Sequence, residues 1–180
     1  MMSHKKTTIL QTALKLFNQY GFGNIGVDRI IAESDVAKMT FYKHFGSKDN
    51  LIVECLKAKS IAIQKQITQT MQQGQLVGKT KLDCVIDYYQ QWFYSSDFFG
   101  SLFVKAVNEF PESKAVSDIA SQHQQSLLLT FTSILGNEKK ALNLLLLLDG
   151  ATVHEKIYRD KTSIYFVKQA LKKEGYYEII

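Results

Sequence analysis

Between Lys38 and Lys48 the chain places three lysines, a histidine and three aromatic rings: Lys38, Lys43, Lys48, His44, Phe41, Tyr42 and Phe45. The surrounding stretch, 36–51, reads VAKMTFYKHFGSKDNL. A core helix would not carry so many cations, and a solvated helix would not carry two phenylalanines and a tyrosine. A helix that docks on its own domain by one edge and faces a polyanion with the other meets both demands.

The angular layout fits that division. With successive residues about 100° apart, Phe41 and Phe45 fall about 40° from one another and Ala37 lies about 40° to the other side, a narrow apolar stripe. Met39 and Lys43 point away from it, at about 160° and 200°. Thr40 and Tyr42 take the two flanks, and His44 lies beside Thr40. Lys38 falls at about 60°, on the core side, where only its long stem lets the ammonium swing out. In a DNA major groove, Met39 and Lys43 would face base edges while the Thr40 and Tyr42 hydroxyls and His44 reach phosphates. Lys48 would open the next helix, beside backbone N–H groups that also attract anions.

The elements that must position these residues are helical. Val27, Ile30 and Ile31 pattern a short helix over 27–34, and KMTFYKHF (38–45) is a second, with a tight connection at 35–37. Two short helices joined this way are the helix-turn-helix arrangement. Before them, Ile9, Ala13, Phe17 and Tyr20 recur at helical spacing until Gly21 stops the helix. After them, Ser47 is placed to cap a long helix over about 48–72. Further helices are predicted at 81–95, 101–110, 113–135, 138–158 (capped by Asn137) and 162–173. Pro111, the single proline, ends one of them. The expected fold is all-α with about nine helices.

The 180 residues suffice for two units, expected as a helix-turn-helix domain over 1–50 and a helical regulatory and dimerisation domain over 51–180. The shared boundary should fall inside the 48–72 helix. Net charge is +5. Residues 1–50 carry seven Lys/Arg against four acids, so a quarter of the chain holds over half the excess, which favours a polyanion partner there.

Enzyme chemistry finds no support. The four histidines (4, 44, 123, 154) and two cysteines (55, 84) lack metal-ligand spacing, and no Gly-rich phosphate loop is present. No catalytic residue, metal or cofactor is expected. The cysteines read as reduced core residues. The chain opens from two lysines directly into an amphipathic pattern, and LLLLL at 144–148 is too short to span a bilayer, so no membrane association and a cytoplasmic location are expected.

TILQTALKLFNQYGFGNIGVDRIIAESDVAKMTFYKHFGSKDNLI resembles the N-terminal domain of the TetR/AcrR family of transcriptional regulators, over about residues 7–56. The resemblance implies that Thr40, Tyr42, His44 and Lys48 touch phosphates and that Met39 and Lys43 face bases; Lys38, a further DNA-binding candidate, stays open between a DNA contact and the core side. Three positions depart from the family pattern. Asp35 stands where many members have glycine, Ala37 replaces the usual Ser/Thr opening the recognition helix, and Gly26 stands where a Thr often caps the preceding one. By resemblance, the whole chain would be a homodimeric repressor on a palindromic double-stranded operator, released by a small-molecule effector. A protein that kept the fold and lost DNA binding is the rival reading, and the intact Thr40, Tyr42, Lys43 and Lys48 argue against it.

For the effector, Tyr88, Tyr89, Trp92, Phe93, Phe99 and Phe103, with His123 as the polar group, line either a pocket or simply a core. For dimerisation, the last two helices are the expected seam, with Leu145, Leu148, Ala151, Thr152, Glu155 and Tyr165 as contact residues; the alternative is that the first of them is buried centrally in the monomer.

Overall fold

The computed structural model describes residues 4–177. Among them the chain forms nine α-helices and no strand: α1 (His4–Tyr20), α2 (Val27–Ser34), α3 (Lys38–Phe45), α4 (Lys48–Gln75), α5 (Lys81–Tyr94), α6 (Leu102–Glu109), α7 (Lys114–Leu135), α8 (Glu138–Tyr158) and α9 (Ser163–Lys173).

Local chemistry sets the boundaries. Gly21, at φ +81°, ends α1 with its N–H on the Phe17 carbonyl at 3.0 Å. Asp35 ends α2 in the left-handed region (φ 50°, ψ 50°), so the turn between α2 and α3 survives without the glycine. Its N–H donates to the Ala32 carbonyl. Gly26 and Ala37 open α2 and α3 in extended conformation, and neither has a side-chain cap bond. Ser47 Oγ accepts the Asn50 N–H at 3.1 Å, and Asn137 accepts the Lys140 N–H at 2.9 Å, so both expected caps form.

The chain divides into two compact units. One takes the sequence up to Ile61 together with Leu102–Ser121; the other takes Ala62–Ser101 and everything from Gln122 onward. The packing boundary thus falls inside α4, past the 50/51 division, and the N-terminal unit recruits α6 from later in the chain.

In the N-terminal unit α1 packs on α2 and α3. Ile9, Ala13, Phe17, Phe22, Ile25, Ile30, Phe41 and Leu51 are fully buried there. Phe22 bridges the core, 4.8 Å from the Phe17 ring and edge-on to Phe110 at 5.7 Å. In α2, Ile30 is fully buried while Val27 and Ile31 are only half-buried.

In the C-terminal unit α5 packs on α8 and α9, and α8 on α9. Leu82, Val85, Ile86, Phe131, Leu144, Leu148 and Leu171 form its centre. A run of edge-to-face rings joins Tyr88, Tyr89, Trp92 and Phe98 at centroid distances of 5.4, 6.0 and 5.1 Å. Cys55 and Cys84 are buried free thiols, and burial pushes both above the ordinary thiol range.

The expected dimer residues sit differently from the sequence reading. Leu145, Leu148, Ala151, Thr152 and Glu155 are buried within the chain itself; of that set only Tyr165 is exposed. The apolar stripe that α8 leaves open is Leu142, Leu146, Val153 and Ile157, which falls within about 60° around the helix. A helix apolar on nearly every side gives no sequence signal for which face its own chain covers.

Candidate nucleic-acid interface

Around helix α3, Phe41, Phe45, Met39 and Lys43 divide as the spacing predicts, while Ala37, placed on the apolar stripe by its angle, is exposed where it opens the helix. Phe41 and Phe45 are buried and pack on each other at 5.8 Å. Met39 is 79% exposed, a large apolar side chain held in solvent with no packing role. Lys43 is exposed beside it. Tyr42 is 43% exposed and stands edge-on to Phe41 at 5.2 Å, which anchors the ring and leaves the hydroxyl outward. Thr40 and His44 are half-buried on the opposite flank, with the His44 ring edge-on to Phe45. The outward face therefore carries a cation, a flexible apolar group and hydroxyls, the groups that meet base edges and phosphates.

Two lysines make contacts that the sequence does not announce. Lys38 is exposed, not tucked on the core side, and its ammonium lies 3.4 Å from the Asp28 carboxylate in the first turn of α2. Lys48 is half-buried and donates to the Phe22 carbonyl at 2.7 Å. That bond takes one of its three N–H donors and ties the start of α4 to the loop after α1. A phosphate contact by Lys48 would use the donors that remain.

The same loop is gripped from α6. The Glu109 carboxylate accepts the Phe22 N–H at 3.1 and 3.0 Å and the Gly23 N–H at 2.6 Å. Lys105, one turn earlier, donates to the Asn18 carbonyl at the end of α1 at 2.5 Å. Sequence reasoning missed both, along with Asp28: the partners are 87 and 10 residues away, and no local spacing announces them. On α2, Arg29 pairs with Glu33 at 2.8 Å and lies over the Tyr20 ring at 4.6 Å. The Glu33 hydrogen bond raises its already high pKa.

In the C-terminal unit, Tyr88, Tyr89 and Phe93 are buried and Trp92 and Phe99 half-buried. His123 is buried on α7. Phe103 is buried, and its residue range groups with the N-terminal unit. Next to His123, Gln124 donates to the partly buried Asp149 carboxylate at 3.0 Å. Burial pushes Asp149 above the usual carboxylate range, and the Gln124 bond offsets part of that rise. Among the described residues no group of three or more His, Cys, Asp or Glu side chains could hold a metal ion.

An all-helical chain with a tight α2–α3 pair, docked by aromatics and outwardly cationic, has the architecture of a helix-turn-helix protein. Residues 9–55 match the family model of bacterial regulatory proteins, tetR family. The chain is 40% identical over 55 residues to YuxN of Bacillus subtilis, an uncharacterised HTH-type transcriptional regulator, covering 31% of this chain and 19% of that protein. It is 31% identical over 83 residues to the HTH-type transcriptional repressor NemR of Escherichia coli, covering 46% and 40% respectively. The chain thus spans less than half the length of either relative. Over nearly its whole length it superimposes on SCO4454, a TetR-family transcriptional regulator from Streptomyces coelicolor, with a TM-score of 0.82, 27% identity and 94% and 95% coverage of the two chains. The fold also matches reduced NemR of E. coli, with a TM-score of 0.83 at 23% identity over 95% and 96% of the chains. Residues 9–55 are thus similar to the DNA-binding part of the tetR family, and the chain as a whole has the fold of the TetR-family regulator SCO4454.

Proposed function

We propose that the protein is a sequence-specific DNA-binding transcriptional repressor, working as a homodimer on a palindromic duplex and released by a small-molecule effector. The observation that carries the reading is the division of α3: Phe41 and Phe45 inward, Met39, Tyr42 and Lys43 outward. Lys43 and Met39 read base edges; Thr40, Tyr42, His44 and Lys48 hold phosphates; Lys38 lies at the edge of the reading face. The repressor sense leans on the likeness to NemR, which is described as a repressor.

A single recognition helix buries too little surface for tight specific binding, and two copies supply it. Leu142, Leu146, Val153 and Ile157 on α8 and Tyr165 and Phe166 on α9 are exposed apolar groups suited to that pairing. The effector would lie against the expected set of Tyr88, Tyr89, Trp92, Phe93, Phe99, Phe103 and His123. In this reading the helix-turn-helix part binds DNA and the remainder carries effector and partner. Among the described residues no helix is long and apolar enough to cross a membrane, in keeping with a cytoplasmic protein.

Mapping DNA protected by the purified chain upstream of its own gene, followed by a compound screen for release, tests this. A discrete protected site and a releasing compound support it. Protection that spreads evenly over any fragment would sink the sequence-specific part, and a site no compound releases would sink the effector part.

A further inference from the structure

Asp28 places a carboxylate on the surface read as facing a polyanion. Its side chain is 87% exposed, and that of its partner Lys38 is 65% exposed. An ion pair this open adds little to folding. Double-stranded DNA carries about one negative charge per 1.7 Å, so an idle acid here weakens every complex. In the first turn of α2 the acid favours the helix dipole, but that role needs no contact with Lys38. Yet the two side chains meet at 3.4 Å, joining the starts of α2 and α3.

We infer that Asp28 is a specificity-determining residue that acts through Lys38, and that the pair reads a G·C base pair. The inference rests on the DNA-binding reading above. A free lysine is a flexible point charge that settles on the nearest phosphate. Against Asp28, Lys38 gives up part of that net attraction, and its ammonium lies 3.4 Å from the carboxylate at the opening of α3. One of its three N–H donors is taken by the carboxylate, and two remain for guanine O6 and N7. The second Asp28 oxygen can accept from the N4 amino group of the paired cytosine. The couple gives up non-specific affinity for discrimination at one position, a repulsive element of the kind specificity requires.

The test selects bound sequences from randomised duplexes with the full chain and with Asp28→Asn, Lys38→Met and the double variant. The wild type should specify a G·C pair in each half-site, with about a tenfold loss when that pair is replaced. Asp28→Asn and Lys38→Met should each bring that loss close to onefold, the double variant should add nothing further, and the remaining positions should stay specified. Asp28→Asn should also bind random duplex more tightly, with a salt dependence steeper by about one phosphate contact. A helix-stabilising role alone would move melting temperature and leave base preference at every position unchanged, and that result overturns the inference. So does an even loss at all positions. A wild-type chain that selects no sequence overturns the DNA-binding reading itself, and this inference with it.

Discussion

Glu109, at the end of α6, holds the backbone N–H of Phe22 with both of its carboxylate oxygens, at 3.1 and 3.0 Å. The contact is possible because Gly21 has no side chain: a Cβ there would lie 2.8 Å from Glu109 Oε1, at a φ of +81° that L-residues rarely adopt. The loop between α1 and α2 is thus shaped by a residue far along the chain.

Removing that carboxylate leaves backbone donors of Phe22 and Gly23 without their partner. Glu109→Ala is expected to cost about 1–2 kcal/mol in urea unfolding, the lower end reflecting solvent access to the site. Gly21→Ala should cost about 1–2 kcal/mol from backbone strain alone, and more from the clash. In the double variant the clash is relieved, so the two costs should sum to more than the double variant loses. Simple additivity would contradict the contact.

In the proposed reading, Lys43 and Tyr42 have separate roles on one face. Lys43→Ala should relax base preference, with about 1–3 kcal/mol of discrimination lost at its position. Tyr42→Phe should weaken binding to all duplexes about equally, because it removes a phosphate donor. Competition binding against sequence variants separates the two. If Lys43→Ala leaves both affinity and preference unchanged, the orientation of α3 in the groove is wrong.

The two faces of α8 predict opposite phenotypes. Leu148→Ala empties a fully buried site and should cost about 2–5 kcal/mol of stability. Leu146→Lys and Ile157→Lys alter exposed positions, so the fold should persist while sedimentation shows the proposed dimer shifting to monomer. A dimer that tolerates both lysines would remove this stripe from the interface.

Asp149 gives a pH signature. Burial, the larger influence, raises its carboxyl, and the Gln124 hydrogen bond lowers it in part. The folded state therefore disfavours the ionised form relative to the unfolded chain. That penalty is absent below the unfolded value and grows as pH rises through the folded one. Asp149→Asn keeps an acceptor for Gln124 and removes the charge. It should melt higher than wild type near pH 7, with the difference shrinking towards about pH 4. A variant less stable at every pH would mean the charge is used in the fold.

What was legible in the sequence is what local chemistry decides. Phe41 and Phe45 against Met39 and Lys43 follow from helical periodicity, Ser47 and Asn137 from capping, and Asp35 from its tolerance of left-handed backbone. What was not legible depends on partners elsewhere in the chain. Lys48 reads as a phosphate contact, and nothing local announces that it also donates to the Phe22 carbonyl. Lys38 reads as open between the core side and solvent, and its contact with Asp28, ten residues earlier, goes with the outward position. Leu145 and Leu148 read as a seam because α8 is apolar nearly all round, and only the packing against α5 and α9 shows which side is already covered.

The central claim is that α3 reads DNA in pairs. Hydroxyl-radical footprinting of the full chain on its upstream fragment tests it most directly. The account predicts two protected half-sites on one face of the duplex, about 34–36 Å or a multiple of that apart, with protection in Lys43→Ala no longer confined to those half-sites. A single unpaired footprint, or paired protection indifferent to Lys43, would contradict it.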